Sequence, residues 1–314
     1  MGGPRTRRPH PIEDGCEMSK PKNEALSPPR HPSSVISYIP CPFIILKYRT
    51  MKQEDGTHPK TIIVAVAMHK DYELPDVDIY LPIHVGAELH PDIPSNLQQD
   101  NDGNNISSLK PYFSALIAPY WLWKNNDSNC KDLVHYWRYF ATSNPLKWLS
   151  RNRFDRIFTR PKFEKTLGKH NVLLTAERHY VIETIASHYE RALHSNQPTI
   201  TGKVLRDLVP SYLESWERLF HKRSANIFTM MVMDRKTFDA YCAWLFLILF
   251  ELTKRLAPTQ YTPFHARYPG RISELLLNVW LGSNGIRSGE LPTTFTEPIN
   301  WRAKGTGFLK VKFT

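Results

Sequence analysis

The alternation of apolar and polar positions changes character at Lys60. Beyond it, "TIIVAVAMHK" is a β-branched apolar run ending in a polar pair, as in a buried strand of a parallel sheet. Runs of similar texture follow at "DLVHYW" from Asp132, "RIFTRP" from Arg156 and "IFTMMVM" from Ile227, and each predicts a strand. Between them the period lengthens. Val181, Ile185, Tyr189 and Leu193 recur every four residues and predict a helix over roughly 176–194. Ser211 and Glu214 form an S-x-x-E capping box after Pro210, predicting a helix to Phe220, and Asp234 is placed to cap a third helix reaching about Leu256. Strands alternating with helices predict an α/β fold, with a Rossmann-type, mostly parallel sheet flanked by helices.

Open α/β sheets bind ligands beyond the carboxyl ends of their strands, which draws attention to the polar residues ending each run. His69 and Lys70 follow the first and suit a diphosphate or a nucleotide base, although a surface lysine beside a turn histidine reads as well. In "DLVHYWRYF", an extended chain puts His135, Trp137 and Tyr139 on one face and Tyr136, Arg138 and Phe140 on the other. Aromatic platforms with an Arg fork suit a nucleotide sugar or glycan; an aromatic strand end packed into the core is the alternative. Asp76-Val77-Asp78 and Asp100-Asn101-Asp102 have the D-x-D spacing with which many nucleotide-sugar transferases hold Mg²⁺ or Mn²⁺, a motif too short to specify a metal site alone. "NDGNN" is a turn cluster that leads into Ser107 as a helix cap. P-loop, dinucleotide, zincin and G-x-S-x-G signatures do not occur.

The apolar share of 41% fits a packed protein rather than a disordered one. Ten of the 25 prolines fall in residues 1–60, so residues 1–59 are expected to be a disordered, proline-rich, basic extension. Forty-one Lys and Arg against 30 Asp and Glu give a net charge of +11, which attracts phosphates, nucleic acid or an anionic membrane without choosing among them. The longest apolar run, "AYCAWLFLILF", is too short to cross a bilayer. Arg5, Arg7 and Arg8 lack a following apolar segment, so a cytoplasmic protein is expected, with peripheral contact to an anionic membrane compatible with its charge. Cys16, Cys41, Cys130 and Cys242 are scattered and show no CxxC spacing.

Seven segments, in order and at sensible spacing, carry a resemblance: "AMHKDYELPDVDIYLPIHVGA", "DNDGNNIS", "YWLWKN", "LVHYWRYF", "HYVIETIASHY", "DAYCAWLFLILFEL" and "ARYPGRISELLLNVWL". They resemble the glycosyltransferase family of bacterial capsular, O-antigen and exopolysaccharide biosynthesis catalogued as a domain of unknown function (DUF4422-type). The resemblance implies a GT-A-like domain over 60–285, followed by a C-terminal tail at 286–314. It implies transfer of a sugar from a nucleotide-sugar donor, such as UDP-galactofuranose or UDP-galactose, to a glycan or lipid-linked glycan acceptor, with no nucleic-acid partner. His135 and Arg138 would then stand by the departing diphosphate, near where other GT-A enzymes keep metal carboxylates. A metal-independent reaction is therefore preferred, with Mg²⁺ or Mn²⁺ left open. Glu274 becomes the base that takes the acceptor's proton, or a structural carboxylate paired with Arg267 or Arg271. His69, Lys70, Asp100, Asn105, Ser107, Tyr136 and Arg267 become donor-binding residues.

The chain departs from the family pattern at Trp137, where Arg is usual, at Asn104 for Asp, at Ala115 for Glu and at Thr229 for Asn. These changes keep a non-catalytic relative that binds nucleotide sugars or glycans as an alternative. A basic nucleic-acid-binding protein rests on charge alone.

Overall fold

Ile62–Met68 forms β1, the strand that the first apolar run predicts, with every residue but Ile63 buried. Parallel to it lie β2 (Tyr80–His84), which pairs with β3 (Gln98–Gln99), and on its other side β4 (Cys130–His135). A tight turn leads to β5 (Arg138–Phe140). Next come β6 (Val172–Thr175), the small antiparallel pair β7 (Arg178–His179) and β8 (Ser224–Ala225), and β9 (Met231–Asp234). β9 runs antiparallel between β4 and β6. Residues 288–295, past the expected domain end at 285, add β10 (Ser288–Leu291) alongside β6 and β11 (Thr293–Phe295) against β5. The main order is β10-β6-β9-β4-β1-β2-β3, a mostly parallel sheet with one antiparallel insertion.

This computed structural model describes residues 61–68, 72–75, 77–91, 97–167, 169–180, 183–192 and 196–297. The expectations for 1–59, His69, Lys70 and Asp76 lie outside them.

The helices are α1 (Lys110–Phe113), α2 (Ile117–Asn125), α3 (Pro145–Trp148), α4 (Arg160–Leu167), α5 (Ile185–Ala192), α6 (Asn196–Leu208), α7 (Leu213–His221), α8 (Arg235–Arg255), α9 (Pro263–Ala266) and α10 (Tyr268–Ser283). Successive side chains of β1 serve opposite faces. Ala65 and Ala67 join the core beneath α2, α6, α8 and α10, whereas Ile62, Val64, Val66 and Met68 pack with Phe158 and with Phe163 of α4.

Local chemistry decides where prediction and structure agree. Asp234 caps α8, its Oδ1 accepting the Thr237 N–H at 3.0 Å, and the helix runs to Arg255 as its pattern predicts. Ser211 caps nothing, because a 3₁₀ turn at Pro210–Tyr212 precedes α7. The helix predicted over 176–194 begins only at Ile185. Before it, Arg178 and His179 pair with β8, and the Tyr180 N–H bonds the Arg223 carbonyl at 2.7 Å. "RIFTRP" is not a strand: Ile157 makes one bridge, to Ala141, and Pro161 lies in the first turn of α4, where its missing N–H is harmless. Of "IFTMMVM", only Met231 onward enters the sheet.

Two neighbours in β4 show how the core treats charge. The buried Lys131 ammonium lies 2.8 Å from Asp239 on α8. The carboxyl of Asp132 is fully buried, and burial pushes it well above the usual carboxylate range against the opposing effect of the Leu133 backbone N–H.

Candidate active site

The sheet directions bring the carboxyl ends of β1, β2, β4 and β6 to one rim, along with the chain entering the antiparallel β9. There β4 stops at His135, and Tyr136 and Trp137 turn the chain so that Arg138 pairs opposite His135. This corrects the expectation of one strand through Phe140 with His135 and Arg138 on opposite faces. β5 reverses to pair with β11, Arg138 facing Phe295, and the two residues become cross-strand neighbours.

Arg138 is 6% exposed, and its charge is held among rings. Its guanidinium carbon lies 3.6 Å from the Phe228 ring centroid, 4.0 Å from Trp137 and 5.2 Å from Phe295. Trp137 and Phe295 stack at 5.3 Å. Trp137 is thus one wall of the Arg138 cage.

The loop before β9 supplies the other wall and carries backbone strain. Phe228 and Thr229 have φ of 84° and 55°, left-handed values that side chains with a Cβ disfavour. Polar contacts fasten the turn on two sides. The Phe228 carbonyl is 2.7 Å from His135 Nε2, and its N–H is near enough to the Glu274 carboxyl on α10 to favour the ionised form. Asn226 anchors the loop further: its Nδ2 donates to the Thr175 carbonyl at 2.8 Å, and its N–H and carbonyl both bond the Asn278 amide.

These contacts fix protonation. A carbonyl only accepts, so Nε2 of His135 carries the hydrogen and Nδ1 keeps its lone pair. Burial, then the Arg138 charge, lowers the imidazole to about 4 against the pull of the Phe228 carbonyl, so the ring is neutral around pH 7. Glu274 is shifted the other way. Burial raises its carboxyl to about 7, against the opposing effects of Arg138, the Phe228 N–H, Arg271 and Arg178. A carboxylate near half-ionisation among three guanidinium groups is equipped to exchange a proton beside an anion.

The other sequence-expected residues form separate groups. Asp100, fully buried, accepts the N–H groups of Gly86 at 2.5 Å and Ala87 at 3.0 Å and the Ser107 hydroxyl at 2.6 Å. Ser107 in turn accepts the Glu88 N–H, so it ties two loops together rather than capping a helix. Asn105 closes its own loop through the carbonyls of Asn101 and Gly103 and the Ser107 N–H. All three shape the rim beyond β2 and β3. Tyr136 stacks on Tyr72 at 3.8 Å. Arg267 is exposed just before α10, its Nε 3.0 Å from Ser114 Oγ.

The donor set at the rim is poor for a divalent cation, with one carboxylate among three cations. Asp100 is taken up as above, Asp102 accepts from Trp121 and Gln98, and Asp78 pairs with Arg160. Among the described residues, no group of three His, Cys, Asp or Glu side chains could hold a metal ion.

The sequence singled out His135, Arg138 and Glu274 but not the loop that joins them. A phenylalanine in the left-handed region leaves no sequence signature, and Asn226 and Asn278 lie too far apart in the chain to suggest contact.

A mostly parallel sheet flanked by helices, with polar groups converging at its carboxyl rim, is a GT-A-like, Rossmann-type α/β architecture. Among solved structures, the chain is similar to WbbM, a bifunctional glycosyltransferase in its apo form, with a TM-score of 0.68 and 21% identity. The match covers 76% of this chain and 46% of that one, so the chain spans about half of its neighbour's length. The model of the family described as Domain of unknown function (DUF4422) matches residues 63–285, and the chain belongs to that family. No curated protein matches. Among the described residues no helix is long and apolar enough to cross a membrane.

Proposed function

We propose that the protein is a glycosyltransferase that moves a sugar from a nucleotide-sugar donor to a glycan or lipid-linked glycan acceptor. The observation that carries this reading is the Phe228 turn, which ties the half-ionised Glu274 to the carboxyl rim beside the caged Arg138. In the reaction, an acceptor hydroxyl oxygen attacks the anomeric carbon and the bond from that carbon to the diphosphate breaks. The bonding pair leaves with the nucleoside diphosphate, and Glu274 takes the hydroxyl proton. Arg138 provides fixed positive charge for the departing diphosphate. His135, neutral, positions the turn that both groups share and adds no charge of its own.

The donor-binding role of Asp100, Asn105 and Ser107 is to hold the adjoining loop in shape, with Tyr136, Arg267, His69 and Lys70 as direct contacts. We place the reaction on the cytoplasmic side, in capsular, exopolysaccharide or O-antigen assembly. Metal-independent chemistry is favoured because Arg138, Arg271 and Arg178, the cations that act on Glu274, can offset the diphosphate charge themselves.

The test is incubation with a panel of UDP-sugars, including UDP-galactofuranose and UDP-galactose, and a lipid-linked acceptor, followed by release of UDP. Turnover with at least one donor, insensitive to chelator and abolished by Glu274→Gln, is expected. Donor binding without transfer across the panel would favour the non-catalytic relative, and no binding at all would remove the reading.

A further inference from the structure

We propose that residues 144–156 form a docking surface for an anionic lipid bilayer. Leu146 and Leu149 are 73% and 81% exposed, and Trp148 between them is 37% exposed. Local bonds hold them outward. Asn144 caps α3 through the Leu146 N–H at 3.0 Å, Asn152 caps the following 3₁₀ turn, and Trp148 Nε1 donates to the Thr142 carbonyl at 2.7 Å. The same segment carries Lys147, Arg151 and Arg153, Arg156 lies over the Trp148 ring at 5.3 Å, and Lys162 of α4 donates to Thr142 Oγ1 at 2.5 Å. Burial and the like charge of Lys147 together lower the Lys162 ammonium, as expected inside a cluster of positive charge. The acids nearby in the chain are Asp155, which accepts the Ser150 hydroxyl, and Glu164.

The chemistry selects among partners. Exposed leucines gain nothing from a nucleic-acid backbone, whereas a bilayer takes up Leu and Trp at its headgroup boundary while Lys and Arg meet anionic lipid. Three apolar side chains fall well short of the roughly 800 Å² per partner that a stable protein interface buries. The surface also lies close to the rim. β5 leads from Arg138 to Phe140, and Ala141 bridges Ile157, so about 10 Å of extended chain separates Arg138 from the bridge at the end of the patch and about 20 Å from its start at Asn144. Docking there would bring the rim to the level of a lipid-linked acceptor, a purpose that rests on the transferase reading, although the docking itself does not.

The experiment is co-sedimentation of the full chain with phosphatidylcholine vesicles, with and without phosphatidylglycerol as a third of the lipid, in the absence of donor and acceptor. Binding is expected only with the anionic lipid. Leu146→Ser with Leu149→Ser, and separately Lys147→Glu with Arg151→Glu, should each weaken it roughly tenfold, with the melting temperature unchanged because all four side chains are exposed. No binding by the parent chain, or undiminished binding by both variants, would overturn the proposal. So would a leucine variant that binds normally while charge reversal abolishes binding to vesicles and heparin alike, since that is the behaviour of a polyanion site. None of these results depends on sugar transfer.

Discussion

Glu274 is where a single side chain has the most consequence. Its carboxyl is raised to about 7, so transfer that needs its ionised form should climb with pH through about 7 and level off above it. A pH–rate profile without that acidic limb would contradict the role of base. Stability should move the opposite way. A folded-state value above the unfolded one means that this residue's contribution is fully present below about 4.5 and is lost as pH rises through about 7. Glu274→Gln is therefore expected to melt progressively higher than the parent as pH goes from 5 to 8. His135, lowered to about 4, has the reverse linkage. Its contribution is present above about 6.5 and is lost as pH falls through about 4.

Among the elements, the left-handed turn at Phe228–Thr229 is the most exacting, because its conformation persists only while its neighbours hold it. His135→Ala leaves the Phe228 carbonyl without its donor, and a loss of about 1–2 kcal/mol in urea unfolding is expected. If the residue acts by positioning, kcat should fall more than the donor KM rises, and His135→Asn should restore part of it. A proportional rise in KM with kcat unchanged would indicate direct donor contact instead. The segments that were legible in the sequence carry their own signal: β1 as a continuous β-branched run and α8 with its Asp234 cap. "RIFTRP" and the first half of 176–194 have apolar residues at the right spacing, but Pro161 and the β8 pairing take them elsewhere.

Across the molecule, the carboxyl rim depends on chain far from it in sequence. β10 covers the β6 edge and buries Leu291, and β11 places Phe295 against Trp137 and Arg138. A chain ending at Gly285 keeps all of the family-matched region but loses both strands. It should unfold at markedly lower urea and transfer no sugar; retention of parental stability would show that these strands are dispensable to the sheet.

Sequence alone determined the layered α/β architecture, because strand and helix periods are local properties that side chains impose within a few residues. It also named His135 and Arg138, through residue types that suit phosphate chemistry, and Glu274, through the family resemblance. Only the tertiary structure decided that His135 is neutral and Glu274 half-ionised, since both values come first from burial, and since Arg138 and Arg178 reach Glu274 from about a hundred residues away in the chain. The same holds for the turn joining them: a strained backbone is stable only against partners that the fold brings to it.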